Sequence, residues 1–442
     1  MSKKIKIIGG SLGGLVAAAE LSQKGYKVSI LERSTSIGGL YNNVDTPFGE
    51  QELGMHVVYV SEGQLGLLSE IFGESAFDIM RGIDVDVGGC ANHESTHFNS
   101  HYPNLIHHKN RSDILNQIKK NSKKVKKSVS AFDELHHRFG EIAAVNTYIP
   151  IIEKLWRSKA SNLTTYALNC FFDLRRIVIC EQPEAILLKQ DPILDSIIAN
   201  PNQREPTGKI YDGRLGIIFK KGLGDLTTVV ENWAHTRGIE LVLNAKIELH
   251  DNALLLNGID ATLDCDACIL GIPLYGFAKE YAERMDKLQL SIFYFELTEK
   301  LKSEFPSYYI LAHGKNFNVS RIVNYDGYSN KNQDSSTSIL SAECVHPINE
   351  RPEAIEIADE IGAILPTIKI KSSYSLPNGI SVFTPTINNG KYMDKITSKI
   401  IQIFNTIPVY FTGMRTDTGI FFSHHTIGAA HAAALEIDSK FS

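Results

Sequence analysis

Apolar residues gather in short runs at the start, middle and end of the chain, and the stretches between them change period. Ile5, Ile7 and Ile8 form a compact run suited to a parallel strand covered on both faces. Residues 15–24 then have helical composition, with Leu15, Ala18, Ala19 and Leu21 able to face a sheet, and Gly25 is placed to end that helix. Residues 26–31 predict a second strand, with Glu32 at its tip. Residues 76–104 alternate like strands, with turn signals at Gly88-Gly89 and Pro103-Asn104. From about 111 to 199 the period turns helical, as at Ile114, Leu115 and Ile118 and at Phe132, Leu135 and Phe139. Strand–helix–strand character returns over 213–258, where a helix ends near Gly238, and two more strands are predicted over 260–273. Residues 288–345 read mostly as strands. Ile355, Ala358, Ile361 and Ile364 recur at helical spacing, and 394–404 is helical. The strand VYFTG (409–413) follows, and the small-residue helix HHTIGAAHAAALEI (424–437) closes the sequence.

The first unit carries chemistry. Gly9-Gly10-Ser11-Leu12-Gly13-Gly14 makes a GxSxxG turn between strand and helix. Gly9 permits the tight turn, and Gly14 lets the helix lie close against the strand. Ser11 stands at the middle position, where the backbone approaches a diphosphate and its hydroxyl can donate to a phosphate oxygen. The helix N-terminus adds unpaired N–H groups and a partial positive charge. Glu32 lies about 20 residues past the glycines, where an acid accepts hydrogen bonds from ribose hydroxyls. Strand, turn, helix, strand and acid in this order predict a dinucleotide site, with NAD and FAD both open at this point.

Composition narrows the field. Over 442 residues the apolar fraction of 43 % and charged fraction of 21 % are those of an ordinary soluble globular protein of about two or three domains. A net charge of −5 offers no general attraction to nucleic acid or acidic membranes. No apolar stretch reaches the roughly 20 residues a membrane-spanning helix needs, and no signal peptide is visible, so a cytoplasmic location is expected. The cysteines are scattered, and Cys265 and Cys268 read as strand cysteines rather than a redox or zinc pair. His93-Glu94-Ser95-Thr96-His97 spells HExxH, but zinc chemistry needs both histidines on one helix face. Gly88-Gly89 upstream and SHYPN (100–104) downstream deny that context, so no metal site is expected. The lysine-rich helical stretch at 119–128 reads as a solvated face.

Four separated segments resemble the flavin-containing amine oxidase superfamily, which includes protoporphyrinogen-oxidase-like, phytoene-desaturase-like and UDP-galactopyranose-mutase-like proteins. They are GGSLGGLVAAAELSQKGYKVSILERSTSIGG, the Gly54-Met55-His56 run, KKGLGDLTTVVENWAHTRGIELVLNAKIEL with DACILGIP, and VYFTGMRTDTGIFFSHHTIGAAHAAALE. The resemblance implies an α/β protein with a discontinuous Rossmann-like FAD-binding domain (1–75, 208–275 and 395–442). An inserted α+β substrate domain would comprise 76–207 and 276–394, with a helical insert at about 105–200. It implies FAD as cofactor, held at Gly9, Ser11, Leu12, Gly14, Glu32 and Arg33. Gly38-Gly39 matches a second flavin-contacting loop, Ile247 lies by the adenine, and Gly413 and Arg415 lie near the flavin. The final helix would point at the isoalloxazine, where its N-terminus stabilises negative charge on the reduced ring.

On the substrate side, Lys154-x-Trp156 resembles a Lys-x-Trp of the mutase-like and protoporphyrinogen-oxidase-like branches, which implies Tyr148 and Trp156 in the pocket. Arg321 resembles an arginine of the second branch that could meet an anionic substrate. His56, His424 and His425 are the candidates for acid–base work beside the ring, because imidazole titrates near neutrality. The run QLSIFYFEL (289–297) lacks the lysine that many amine oxidases keep near flavin N5. The expected function is an FAD-dependent oxidoreductase of the amine oxidase or protoporphyrinogen oxidase type, passing hydride from a small molecule to flavin N5. Two alternatives stay open: a sugar-nucleotide mutase-like enzyme using reduced FAD on a nucleotide sugar, and a non-catalytic flavin-binding protein.

Overall fold

The computed structural model describes residues 2–81, 88–124, 127–202, 215–250, 253–260, 263–277, 279–301, 307–328 and 336–442. Its organising element is a five-stranded parallel sheet built from Lys4–Ile8 (β1), Lys27–Leu31 (β2), Glu240–Val242 (β3), Ala267–Leu270 (β4) and Val409–Phe411 (β5). Their order across the sheet is β3-β2-β1-β4-β5. The chain leaves β1 toward β2 on one side, and the neighbour on the other side, β4, arrives more than two hundred residues later. That reversal opens a crevice beyond the carboxyl ends of β1 and β4, the place where open α/β sheets bind ligands. Ile5, Ile7 and Ile30 are fully buried, as the apolar run requires of strands covered on both faces.

Two helices cover one face of this sheet, Leu12–Gln23 (α1) and Ser423–Phe441 (α2). The helix α1 begins three residues earlier than its composition predicts, so Leu12, Gly13 and Gly14 form its first turn. Gly25 follows its C-terminus in the left-handed region, at φ 85°. A side chain on Gly13 would place its Cβ 3.0 Å from the carbonyl oxygen of Thr426 in α2, so the two helices meet almost backbone to backbone. The buried Ala430, Ala433 and Ala434 of α2 belong to the same packed core as Val16, Ala17 and Ala18 of α1. Much of the small-residue character of the last helix therefore serves this helix pair.

The second layer is an eight-stranded sheet, mostly antiparallel. Its long central strand Lys287–Leu297 pairs with Ile339–His346 on one side and with Ile370–Ser375 and Ile380–Phe383 on the other. Beyond Ile339–His346 come Arg321–Asn324, Tyr309–Ala312 and Gly88–Ala91, the last pair parallel. A helical block packs against it, including Arg111–Asn121, Ala131–Ala143 and Ile149–Trp156. Ser130 and Asp133 cap the second of these reciprocally, and a single wide π turn at Ala144–Tyr148 leads into the third. The helix at the lysine run ends at Asn121, so the helical expectation for 119–128 holds only at its start; residues 125 and 126 lie outside the described residues. The helix expected at 394–404 spans Ile387–Phe404, with Thr386 as its N-cap. Among the described residues no helix is long and apolar enough to cross a membrane.

Candidate dinucleotide and substrate site

The glycine turn has the geometry its spacing predicts. Gly9 adopts φ 109°, and a Cβ there would stand 2.8 Å from Ile272. On Gly14 a Cβ would come within 2.2 Å of the Gly9 carbonyl oxygen. Ser11 is the N-cap of α1 but its side chain makes no capping bond, so the first-turn N–H groups of Leu12, Gly13 and Gly14 point into the crevice without a side-chain acceptor. Glu32 accepts the Gly10 N–H at 2.7 Å and the Ser34 N–H at 2.9 Å, which ties the acid to the glycine turn. Its neighbour Arg33 is exposed.

The rest of the crevice is lined from distant parts of the chain. Gly38 (φ 103°) and Gly39 (φ 57°) bend the loop after β2, and a Cβ on Gly38 would clash with Leu223 at 2.5 Å. Gly413 follows β5 where a Cβ would stand 2.2 Å from the Ile272 carbonyl oxygen. Thr412 Oγ1 and Asn42 Oδ1 are buried and have no hydrogen-bond partner among the described residues. Such orphans are rare unless a ligand or water completes them. A cradle closed to side chains, a helix end without a cap and two orphaned polar atoms fit a dinucleotide such as FAD. Ile247 is buried in a core cluster and belongs to a small separate antiparallel sheet with Ala253–Leu256.

A cavity of about 570 Å³ is lined in part by the eight-stranded sheet. Met55 and Val57 border it on the segment after Gly54, Tyr59 on the short strand Val58–Val60, Phe422 and His424 at the N-terminus of α2, and Tyr309 and Arg321 on the eight-stranded sheet. The His424 ring lies edge-on to Tyr59 at 5.7 Å and parallel to Phe422 at 5.7 Å. The His56 ring lies against Tyr41, tilted by 31° with centroids 4.6 Å apart.

Several sequence-predicted residues take other positions. Tyr148 and Trp156 do not line this cavity; both are buried in the helical block. Tyr148 stacks on Phe139 at 4.1 Å and donates to the Arg176 carbonyl, and the Trp156 indole N–H donates to the Ala167 carbonyl at 3.3 Å. The amphipathic helix that carries them turns its apolar side inward, and large aromatic residues follow it. Arg321 reaches the cavity, but its guanidinium donates to both oxygens of the buried Glu343. Arg415, expected to contact a phosphate, is buried against Asp417, with Nη2 2.7 Å from the carboxylate. The His425 Nδ1 accepts backbone N–H groups of Phe421 and Phe422 at 3.3 Å, so this ring caps the helix. Burial, with Arg175 nearby, pulls its pKa down and keeps it neutral. Of the HExxH pair, His93 packs against Phe317 in a turn while His97 sits in the short strand Thr96–His97.

Other lining residues escaped the sequence reading. Arg175 donates twice to Asp173 at the cavity edge, and Tyr102 OH lies 3.4 Å from the same carboxylate. Phe171 lies under Arg321 at 5.2 Å and has φ 68°, a strained backbone for a bulky residue. No local pattern announces these, since His101-Tyr102 reads as a turn and Phe171 as ordinary core.

Comparison with known proteins agrees with this architecture. Residues 7–71 match the model of the NAD(P)-binding Rossmann-like domain. Over 58 residues the chain is 41% identical to 4,4'-diaponeurosporene oxygenase of Staphylococcus aureus (strain Mu50 / ATCC 700699), which is 13% of this chain and 12% of that protein. The match to the Staphylococcus haemolyticus (strain JCSC1435) protein of the same name is 43% over 56 residues, covering 11% of it. The chain thus matches these curated relatives over only about an eighth of their length. Solved structures extend the likeness to the whole chain. Reduced UDP-galactopyranose mutase has a TM-score of 0.66 at 13% identity, covering 100% of this chain and 96% of that one. A protoporphyrinogen-oxidase-like protein from Exiguobacterium sp. 255-15 has a TM-score of 0.61 at 12% identity, with 100% and 99% covered. Putrescine oxidase bound to putrescine has a TM-score of 0.56 at 12% identity, with 99% of each chain covered. The chain shares its overall fold with these three solved proteins.

Proposed function

We propose that this chain is an FAD-dependent oxidoreductase that takes hydride from a small molecule held in the cavity beside its eight-stranded sheet. The observation that carries the reading is the lining of that cavity. It is bordered by Met55 and Val57 just after Gly54 and by Phe422 and His424 at the N-terminus of α2, the helix that packs against the first turn of α1 at Gly13. FAD, when bound, supplies the hydride acceptor. The protein's own groups bind and orient. The turn from Gly9 to Gly14 and the first-turn N–H groups of α1 receive the diphosphate, and Glu32 accepts from ribose hydroxyls. Gly38, Gly39 and Gly413 keep the crevice free of side chains. The N-terminus of α2 favours negative charge beside it. His424 and His56 stand as the candidate proton carriers, whereas His425 serves the helix cap.

The charge balance of the cavity favours a redox substrate over a nucleotide sugar. Its arginines among the described residues, Arg175 and Arg321, are each held by a carboxylate, Asp173 and Glu343. A diphosphate would need cations that are not already matched. Purified protein is expected to be yellow and to release FAD on denaturation. Anaerobic bleaching of the flavin by one member of a metabolite panel supports the oxidoreductase. Turnover that requires prior dithionite reduction and leaves the substrate's oxidation state unchanged would instead mark a mutase-like enzyme. A spectrum that no metabolite perturbs would mark a flavin-binding protein without catalysis, and a colourless protein that takes up no FAD would remove the flavin reading.

A further inference from the structure

The strand Gly49–Glu52 ends in a carboxyl group that is almost wholly buried, with 3 % of the residue exposed. Gly54, at φ 94°, folds the chain back just after it, so that Glu52 Oε2 accepts the backbone N–H of His56 at 3.2 Å. The same oxygen stands 4.0 Å from His56 Nδ1 and accepts the Tyr328 hydroxyl at 2.9 Å. Substitution at Gly54 is closed off on both counts, since a Cβ there would also stand 2.9 Å from Glu343 Oε1. The His56 ring also lies against Tyr41, tilted by 31° with centroids 4.6 Å apart. We propose that Glu52 is a positioning residue for His56: it fixes the ring against Tyr41 and strengthens its hold on a proton at the Met55–Val57 wall of the cavity.

Several phenols among the described residues stand close to Glu52. Burial, with the Glu52 charge adding to it, pushes the Tyr41 phenol up to about 12. Burial first and then Glu52 hold the Tyr328 phenol well above its ordinary value. Tyr294 and Tyr325, whose hydroxyls donate to the Glu52 carbonyl oxygen, are likewise raised by burial. These phenols stay protonated and act as donors. The Glu343 carboxylate is matched by Arg321. A carboxylate about 4 Å from an imidazole favours the imidazolium form. The consequence for catalysis rests on the flavin reading above: a cationic His56 would favour electron density on a bound flavin.

The test is a histidine NMR titration of the full chain, first without and then with FAD, with His56 assigned by substitution. Glu52→Gln is expected to move the His56 midpoint down by about one pH unit, a roughly tenfold loss of proton affinity, while the exposed His235 stays in place. Glu52→Asp restores most of the shift. An unmoved His56 midpoint in folded Glu52→Gln overturns the proposal. If that variant does not fold, Tyr328→Phe decides: removing a donor from Glu52 Oε2 is expected to raise the His56 midpoint, and no change or a fall overturns it. With FAD bound, Glu52→Gln is also expected to lower the flavin reduction potential. A moved midpoint with an unmoved potential upholds the Glu52–His56 coupling and overturns the flavin reading of this wall.

Discussion

A Cβ atom on Gly14 would stand 2.2 Å from the carbonyl oxygen of Gly9, so the helix of the dinucleotide unit rests directly on the turn that precedes it. Gly14→Ala must push β1 and α1 apart. The expected cost is on the order of 3 kcal/mol, read from the urea midpoint, with loss of FAD binding. Gly362, inside the helix Ala354–Ile364, has open space around its missing Cβ. Gly362→Ala is expected to stabilise the protein by about 0.5–1 kcal/mol, and a destabilisation there would contradict the packing described.

Glu32 accepts two backbone N–H groups, from Gly10 and Ser34. Glu32→Ala leaves these without their acceptor and removes the proposed partner of the ribose hydroxyls. FAD affinity is expected to fall about ten- to a hundredfold in equilibrium titration, the equivalent of one or two lost hydrogen bonds to a charged group. Retention of wild-type affinity would remove Glu32 from the site.

The buried Glu343 carboxylate is held by the Arg321 guanidinium, which is itself partly exposed to the cavity. Arg321→Met alone leaves an uncompensated carboxylate and is expected to cost about 3–5 kcal/mol. The double variant Arg321→Met with Glu343→Leu is expected to recover most of that loss. A double-mutant cycle by chemical unfolding checks this, and additive losses would mean that the pair is not coupled.

Lys154 is buried, with Nζ donating to the Ala312 and Val319 carbonyls at 2.7 Å each. Burial lowers its pKa from 10.5 to about 7. Below about pH 7 the folded and unfolded chains both carry the proton, and the cost of the buried charge is fully present. Between about 7 and 10.5 the unfolded chain holds more protons, so this group makes stability rise with pH across that window. Lys154→Met is expected to flatten the rise. Unfolding midpoints of both proteins from pH 7 to 10 test it, and parallel curves would show that Lys154 is not the source.

Trp156 and Tyr148 sit in the core of the helical block. Trp156→Ala is expected to destabilise by about 3–5 kcal/mol, while the fraction that folds keeps its affinity for any cavity ligand. A selective loss of ligand binding with unchanged stability would return Trp156 to the pocket.

The chain by itself determined its local units. The spacing of Ile5, Ile7 and Ile8, the glycines at 9 and 14, and Glu32 specify strand, turn, helix and acid. Each of those choices is enforced by sterics and hydrogen bonds within this one strand–turn–helix–strand unit. Helices with a clear apolar stripe, such as Ala354–Ile364, were legible for the same reason. Only the tertiary structure decided what the side chains beyond those units do. Arg321 and Arg415 both read as cations for an anion, yet Arg321 meets Glu343 across paired strands and Arg415 folds onto Asp417 two residues on. Trp156 carries the same motif in a pocket or in a core, and the orientation of its helix against the sheet decides between them. Glu52 and Tyr328 lie far apart in sequence and share one hydrogen bond at 2.9 Å. No period or motif encodes such a contact, because it depends on how separate strands of two sheets register against each other. The glycine turn was therefore readable from its own residues, while the cavity, lined from segments as distant as Met55, Arg321 and His424, exists only once the chain has packed.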